Sequence, residues 1–158
     1  MYREDVDKIV NSILKFADLQ NSREKDYIFD LNKFSEVSGK TGPYILYTYL
    51  RINKILKEEG ESPALSNTIY NKADRDLRIK MLDYVDMVKL AFDERKPHYV
   101  AEYVYNLCTL CNVFYQSNHI STLEDQTNKN DWLFVLEVSN NIIKEMLYLL
   151  GIELPTVM

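Results

Sequence analysis

Apolar residues recur at helical spacing along almost the whole chain. Val6, Ile9, Val10, Ile13, Leu14 and Ala17 follow the i, i+3, i+4 rule and predict one amphipathic helix. The polar stretch Asn21-Ser22-Arg23-Glu24-Lys25-Asp26 breaks that pattern, and Tyr27-Ile28-Phe29 reads as extended chain. Asp30 is placed to cap a short second helix through Phe34 and Val37, with Gly39 as its stop. Thr41-Gly42-Pro43 opens a third helix, because Thr caps well and Pro is tolerated in the first turn. This helix is predicted to run to Glu59, with Gly60 after it.

From Gly60 to Ala73 the pattern lapses into Glu, Ser, Pro and Asn, which predicts a long loop. Asp74 is the expected cap of a fourth helix carrying Leu77, Met81, Tyr84, Val85 and Val88. Pro97 starts a fifth, with Val100, Val104, Leu107, Cys111 and Phe114 as its stripe. Asn118 to Lys129 reads as a polar loop around His119. The sixth helix carries Trp132, Leu136, Ile143, Met146, Leu149 and Leu150, and Gly151 is its natural C-cap. No repeat at fixed period is present. The expected fold is an all-α bundle of about five to six helices.

Composition narrows the picture. With 158 residues, 46% apolar and 27% charged, the chain fits one domain with one sizeable core. No stretch of about 18 uncharged apolar residues exists, so no membrane span is expected. The charged start Met1-Tyr2-Arg3-Glu4-Asp5 lacks a signal-peptide core, and two Cys make no disulfide framework. A cytoplasmic setting follows as an expectation. The net charge of −5 disfavours a nucleic-acid partner held by bulk charge, although a local basic patch is compatible with it.

Cys108-Thr109-Leu110-Cys111 has C-x-x-C spacing, but a zinc site takes four ligands, and Cys111 lies on the apolar stripe of its helix. Core packing is the expected role, and no metal is expected. Glu58, Glu59 and Glu61 fall at a helix end and read as solvated. No Gly-rich phosphate loop and no nucleophile motif is found. The third helix stands apart. Ile45, Tyr49, Ile52 and Leu56 form a line suited to the core, while Tyr44, Tyr47 and Arg51 form another roughly 120° around the helix. Lys54 and Lys57 lie towards its end. Tyrosine rings and a guanidinium on one face suit single-stranded RNA, whose bases stack on rings while Arg binds phosphate. A second packing face is the alternative.

Longer blocks bring a family into view. Phe16 to Asp30 resembles the stretch of arginyl-tRNA synthetases that joins the catalytic part to the anticodon-binding part. Gly39-Lys40-Thr41-Gly42-Pro43-Tyr44-Ile45-Leu46-Tyr47-Thr48-Tyr49-Leu50-Arg51-Ile52 is similar to the G-x-T-G-P-Y-L-Q-Y-A-H-A-R-I block of that family. Tyr103 to Tyr115 resembles its E-Y-L-Y-x-L…F-N-x-F-Y pattern, with Asn112, Phe114 and Tyr115 matching. Leu149 to Met158 is similar to the ending L-L-G-I-E-A-P-E-R-M. Leu46, Tyr49, Leu50, Thr156 and Val157 depart from the pattern, and the H-I-G-H motif of the catalytic fold is absent.

The resemblance implies a DALR-type helical domain that reads a tRNA anticodon and is noncatalytic by itself. It implies residues 1–20 as a linking helix continuing from a catalytic domain, and residues 21–158 as the anticodon-binding bundle. Tyr44, Tyr47, Arg51, Asn112, Tyr115 and Met158 sit on the matching blocks and, with Lys54, form the expected tRNA-binding set. The implied partners are tRNA-Arg and the chain's own catalytic domain, where ATP would be used. The segment itself is expected to take no cofactor and to be monomeric. All arginine anticodons share a central C, so reading that base flipped outward would give specificity. Two alternatives stay open: a freestanding helical protein-interaction module, and the DALR domain of a cysteinyl enzyme or of a glycyl β subunit.

Overall fold

A computed structural model describes residues 3–60, 66 and 68–158. It is all-α, with helices α1 (Arg3–Leu19), α2 (Leu31–Phe34), α3 (Gly42–Glu59), α4 (Lys72–Leu82), α5 (Tyr84–Asp93), α6 (Pro97–Ser117) and α7 (Gln126–Leu149). A 3₁₀ turn, Ile120–Thr122, precedes α7. No strand occurs among the described residues, and Tyr27-Ile28-Phe29 is in no helix or strand. The central layer is α3, α6 and α7, with α1 laid across α3 and with α4 and α5 against α6. Phe16, Ile45, Leu46, Leu107, Phe114, Leu136, Ile143 and Met146 are fully enclosed there.

Local signals set most of the boundaries. The Thr41 hydroxyl accepts the Tyr44 N–H at 3.2 Å, Pro43 occupies the first turn, and Gly60 ends α3 at φ +90°. At the end of α7, Ile152 N–H donates to Leu147 O and Gly151 N–H to Tyr148 O, both at 2.9 Å. That paired 6→1 and 5→2 arrangement needs the left-handed φ of +67° that Gly151 supplies.

Elsewhere the structure departs from the sequence expectation. The predicted fourth helix is two helices. The Lys80 carbonyl, which a continuous helix would give to the Tyr84 N–H, accepts the buried Tyr103 hydroxyl at 2.8 Å and the Asp83 N–H at 3.3 Å. A side chain entering the ladder breaks the helix at Asp83. The cap of α4 is Asn71, whose side chain accepts the Asp74 N–H at 3.0 Å, and not Asp74, whose carboxylate is bound elsewhere. Helix α2 is one turn and stops before Val37. The polar loop after Asn118 is shorter than expected, because Asp125 caps α7 through the N–H groups of Thr127 and Asn128. Residues 61–65 and 67 of the expected loop, Glu61 among them, lie outside the described residues. So do Met1 and Tyr2.

Helix α1 turns only part of its expected apolar stripe inward: Ile13 and Ala17 are buried and Ile9 packs against the core. Asp5, Ser12, Ile13, Phe16 and Ala17 are buried, whereas Val6, Val10 and Leu14 are exposed. The two buried polar side chains are both bonded: Ser12 Oγ donates to Ile9 O at 2.7 Å, and Asp5 accepts from Thr156. No helix among the described residues is long and apolar enough to cross a membrane.

Candidate nucleic-acid interface

Residues three and four apart on a helix stand on one face. On α3 this row is Tyr47, Leu50, Arg51, Lys54 and Glu58, and it forms one wall of a groove of about 800 Å³. Tyr115, from the last turns of α6, and the tail residues Thr156, Val157 and Met158 supply the rest. The Tyr47 ring is half exposed, at 47%, which suits a stacking surface and not a core side chain. The Arg51 guanidinium lies over the Tyr115 ring, 4.3 Å from its centroid. Such a contact fixes the guanidinium plane while it keeps N–H donors for a phosphate or a base edge. Lys54 and Lys57 add positive charge, offset in part by Glu58, whose Oε1 is 3.7 Å from Lys54 Nζ. Both partners of that pair are largely solvated, so the pair is weak and open to competition by a polyanion.

Five of the seven residues expected at the site therefore come together: Tyr47, Arg51, Lys54, Tyr115 and Met158. Tyr44 and Asn112 stand apart from the groove. The Asn112 amide donates to Tyr44 Oη and Thr48 Oγ1, each at 3.0 Å, and the Tyr44 ring packs on Tyr105 with centroids 5.7 Å apart. They tie α3 to α6 and so hold the two helices that carry the groove. Tyr44 and Tyr47 share a side of α3 by spacing, but the approach of α6 encloses the first and leaves the second open. Leu46 is fully buried and Tyr49 faces α7, so neither departure from the resembling pattern touches the groove. Thr156 and Val157 do line it.

Sequence reasoning missed Leu50 and Ile55, apolar residues that line the groove, and Asp5, which binds the tail. The α3 row spacing could have found Leu50. Nothing local marks Asp5, which takes part through a contact 151 residues away. Its carboxylate, 3% exposed, accepts the Thr156 N–H at 2.7 Å and the Thr156 hydroxyl at 2.9 Å. The backbone hydrogen bond, above all, holds its pKa below the ordinary value, against the opposing effect of burial.

Cys108 and Cys111 are both buried, 0% and 1% exposed, as core residues. Burial pushes the Cys111 thiol up to about 12 and that of Cys108 well above its ordinary value. The reactive species of a cysteine is its thiolate. The native chain is therefore expected to show no fast-reacting thiol towards a disulfide reagent at pH 8, and two once denatured. A thiol titrating rapidly in the native state would contradict this placement.

Comparison with known proteins identifies the family of this fold. The profile of the DALR anticodon binding domain family matches residues 45–158. The arginine–tRNA ligase of Alkaliphilus oremlandii is 33% identical over 96% of the chain, and that of Agathobacter rectalis 32% over 90%. The chain spans only about 27% and 25% of the length of these two relatives. Among solved structures, arginyl-tRNA synthetase of Thermus thermophilus superposes with a TM-score of 0.87 at 25% identity, covering 96% of this chain and 27% of that one. The Plasmodium falciparum enzyme gives 0.82 at 26%, with the same coverage. With a family profile matched across most of its length and this helical architecture, the chain belongs to the DALR anticodon binding domain family.

Proposed function

We propose that this chain is the anticodon-reading part of an arginine–tRNA ligase and binds tRNA-Arg in the groove between α3, α6 and the tail. The observation that carries the reading is the convergence of Tyr47, the stacked Arg51–Tyr115 pair and Met158 on one open groove. Bases flipped out of an anticodon loop present π-faces for the Tyr47 ring, and Arg51 meets a phosphate or a base edge. Met158 offers a polarisable apolar side chain against a base. Arginine activation with ATP belongs in this reading to the remainder of the parent enzyme. The domain needs no cofactor of its own and acts as a monomer in the cytoplasm.

The test is a titration of the chain with tRNA-Arg and with a transcript altered at the central anticodon base. Equal affinity for both would overturn anticodon reading. Base stacking on an aromatic ring is worth roughly 1–3 kcal/mol, so Tyr47→Ala is expected to weaken tRNA-Arg binding by about tenfold or more. The half-exposed position and the high helix propensity of Ala predict an almost unchanged melting temperature. Arg51→Ala should weaken binding and also make its salt dependence shallower, as loss of a phosphate contact requires. A folded Tyr47→Ala chain of unchanged affinity would remove Tyr47 from the site.

A further inference from the structure

We infer that Asp5 is a positioning residue for RNA binding: it straps the C-terminal tail along α1 and so sets Met158 as a wall of the groove. The inference rests on the tRNA-binding reading of that groove. It starts from the course of the tail. Lys15 Nζ donates to the Gly151 carbonyl near the end of α1, and Asp5 receives Thr156 near its start. Ten helical residues separate Lys15 from Asp5, about 15 Å at helical rise. Five residues separate Gly151 from Thr156, a reach of at most about 17 Å for an extended chain. That reach suffices, and the two contacts come in reverse order along α1, so the tail runs antiparallel to it as a strap held at both ends.

Between these ends the strap is packed by Ile152, 4% exposed, and by buried Pro155. Beyond Pro155 the tail turns to the groove, which Thr156, Val157 and Met158 line. Thr156 is exposed as a residue, so its place depends on the two polar groups it gives to Asp5 and not on burial of its methyl group. The carboxylate is itself enclosed and takes both the N–H and the hydroxyl of one residue. Charge-assisted hydrogen bonds of this kind are among the stronger ones a protein makes. A tail residue fixed two positions before Met158 leaves little freedom for the Met158 backbone. Asp5 touches no groove surface itself and acts through the tail.

The test uses the 158-residue chain with an unmodified tRNA-Arg transcript, together with amide hydrogen exchange. Asp5→Ala is expected to weaken RNA binding by about tenfold, the scale of losing a charge-assisted pair of bonds. Asp5→Asn keeps an oxygen acceptor and should recover most of that loss. In Asp5→Ala the Thr156 amide should exchange at least about tenfold faster, while amides in the middle of α3 keep their protection. Combined with Met158→Ala, the Asp5→Ala change should cost almost nothing further, because both act through one element. A fully additive double variant, or uniform loss of protection across α3, would mean general destabilisation and overturn the inference. Unchanged affinity in Asp5→Ala beside a weakened Met158→Ala would overturn it too, and leave the groove reading standing. Unchanged affinity in Tyr47→Ala, Arg51→Ala and Met158→Ala alike would overturn the groove reading and, with it, any role of the strap in RNA binding.

Discussion

Asp74→Ala is expected to destabilise the chain by about 3–5 kcal/mol, the usual consequence of stripping one partner from a buried ion pair. Asp74 is wholly enclosed and its Oδ1 lies 2.5 Å from Arg78 Nε, one turn on along α4. Its Oδ2 accepts the Tyr70 N–H at 3.0 Å, just before the helix starts. Arg78 Nη1 reaches Ser66 O at 3.4 Å, Nη2 is buried with no hydrogen-bond partner among the described residues, and Asp131 acts on the guanidinium through charge. Removing the carboxylate therefore leaves a mostly buried guanidinium without its hydrogen-bonded partner, with the charge of the buried Asp131 carboxylate as partial compensation. The melting temperature should fall by about 6–20 °C for a chain of this size, read by helical circular dichroism. Replacing both residues, Asp74→Ala with Arg78→Met, should cost less than Asp74→Ala alone, since the buried guanidinium goes with its partner and Asp131 keeps its hydrogen bonds from Ser66 and Tyr70. If the single and double variants melt together, the charge is not what the site requires.

The second large effect is expected from the smallest change. A Cβ added at Gly42 would stand 2.5 Å from the Ser12 carbonyl oxygen, 2.7 Å from its carbon and 2.9 Å from Ser12 Oγ. The first two are backbone atoms of α1, so no rotamer change relieves the contact. Gly42 is the first residue of α3, and its lack of a side chain lets the start of α3 press against the middle of α1. Gly42→Ala must move α1 away from α3 and is expected to cost about 3 kcal/mol or more, at or beyond the upper end of overpacking. Displacement of α1 also moves Asp5, so RNA binding should weaken in this variant. A Gly42→Ala chain as stable as the parent would show that the two helices are not in this close register.

The same residue shows how sequence and tertiary structure divide the work. Thr41 and Pro43 announce the start of α3, Gly60 its end and Gly151 the end of α7, because capping and left-handed φ are local properties of a few consecutive residues. Helical periodicity likewise placed Tyr44, Tyr47 and Arg51 on one face with Lys54 towards the end of the helix, and the matching blocks added Tyr115 and Met158. What periodicity does not carry is which face meets a neighbour. Tyr44 and Tyr47 are three residues apart, and the packing of α6 alone decides that the first is tied to Asn112 and the second lies open. The apolar spacing of α1 placed Ile9, Ile13 and Ala17 inward correctly but also Val6, Val10 and Leu14, which are exposed, while the buried stripe takes in Asp5 and Ser12, whose polar atoms find partners in the folded chain. The break at Asp83 comes from a hydroxyl twenty residues further on, entering the backbone ladder at Lys80. The strap from Asp5 to Thr156 spans 151 residues. Caps, turns and helix faces are written in short-range sequence, because a few neighbouring dihedrals and side chains settle them. The groove wall, the strap and the close approach at Gly42 belong to tertiary structure, because each depends on groups that chain connectivity does not bring together.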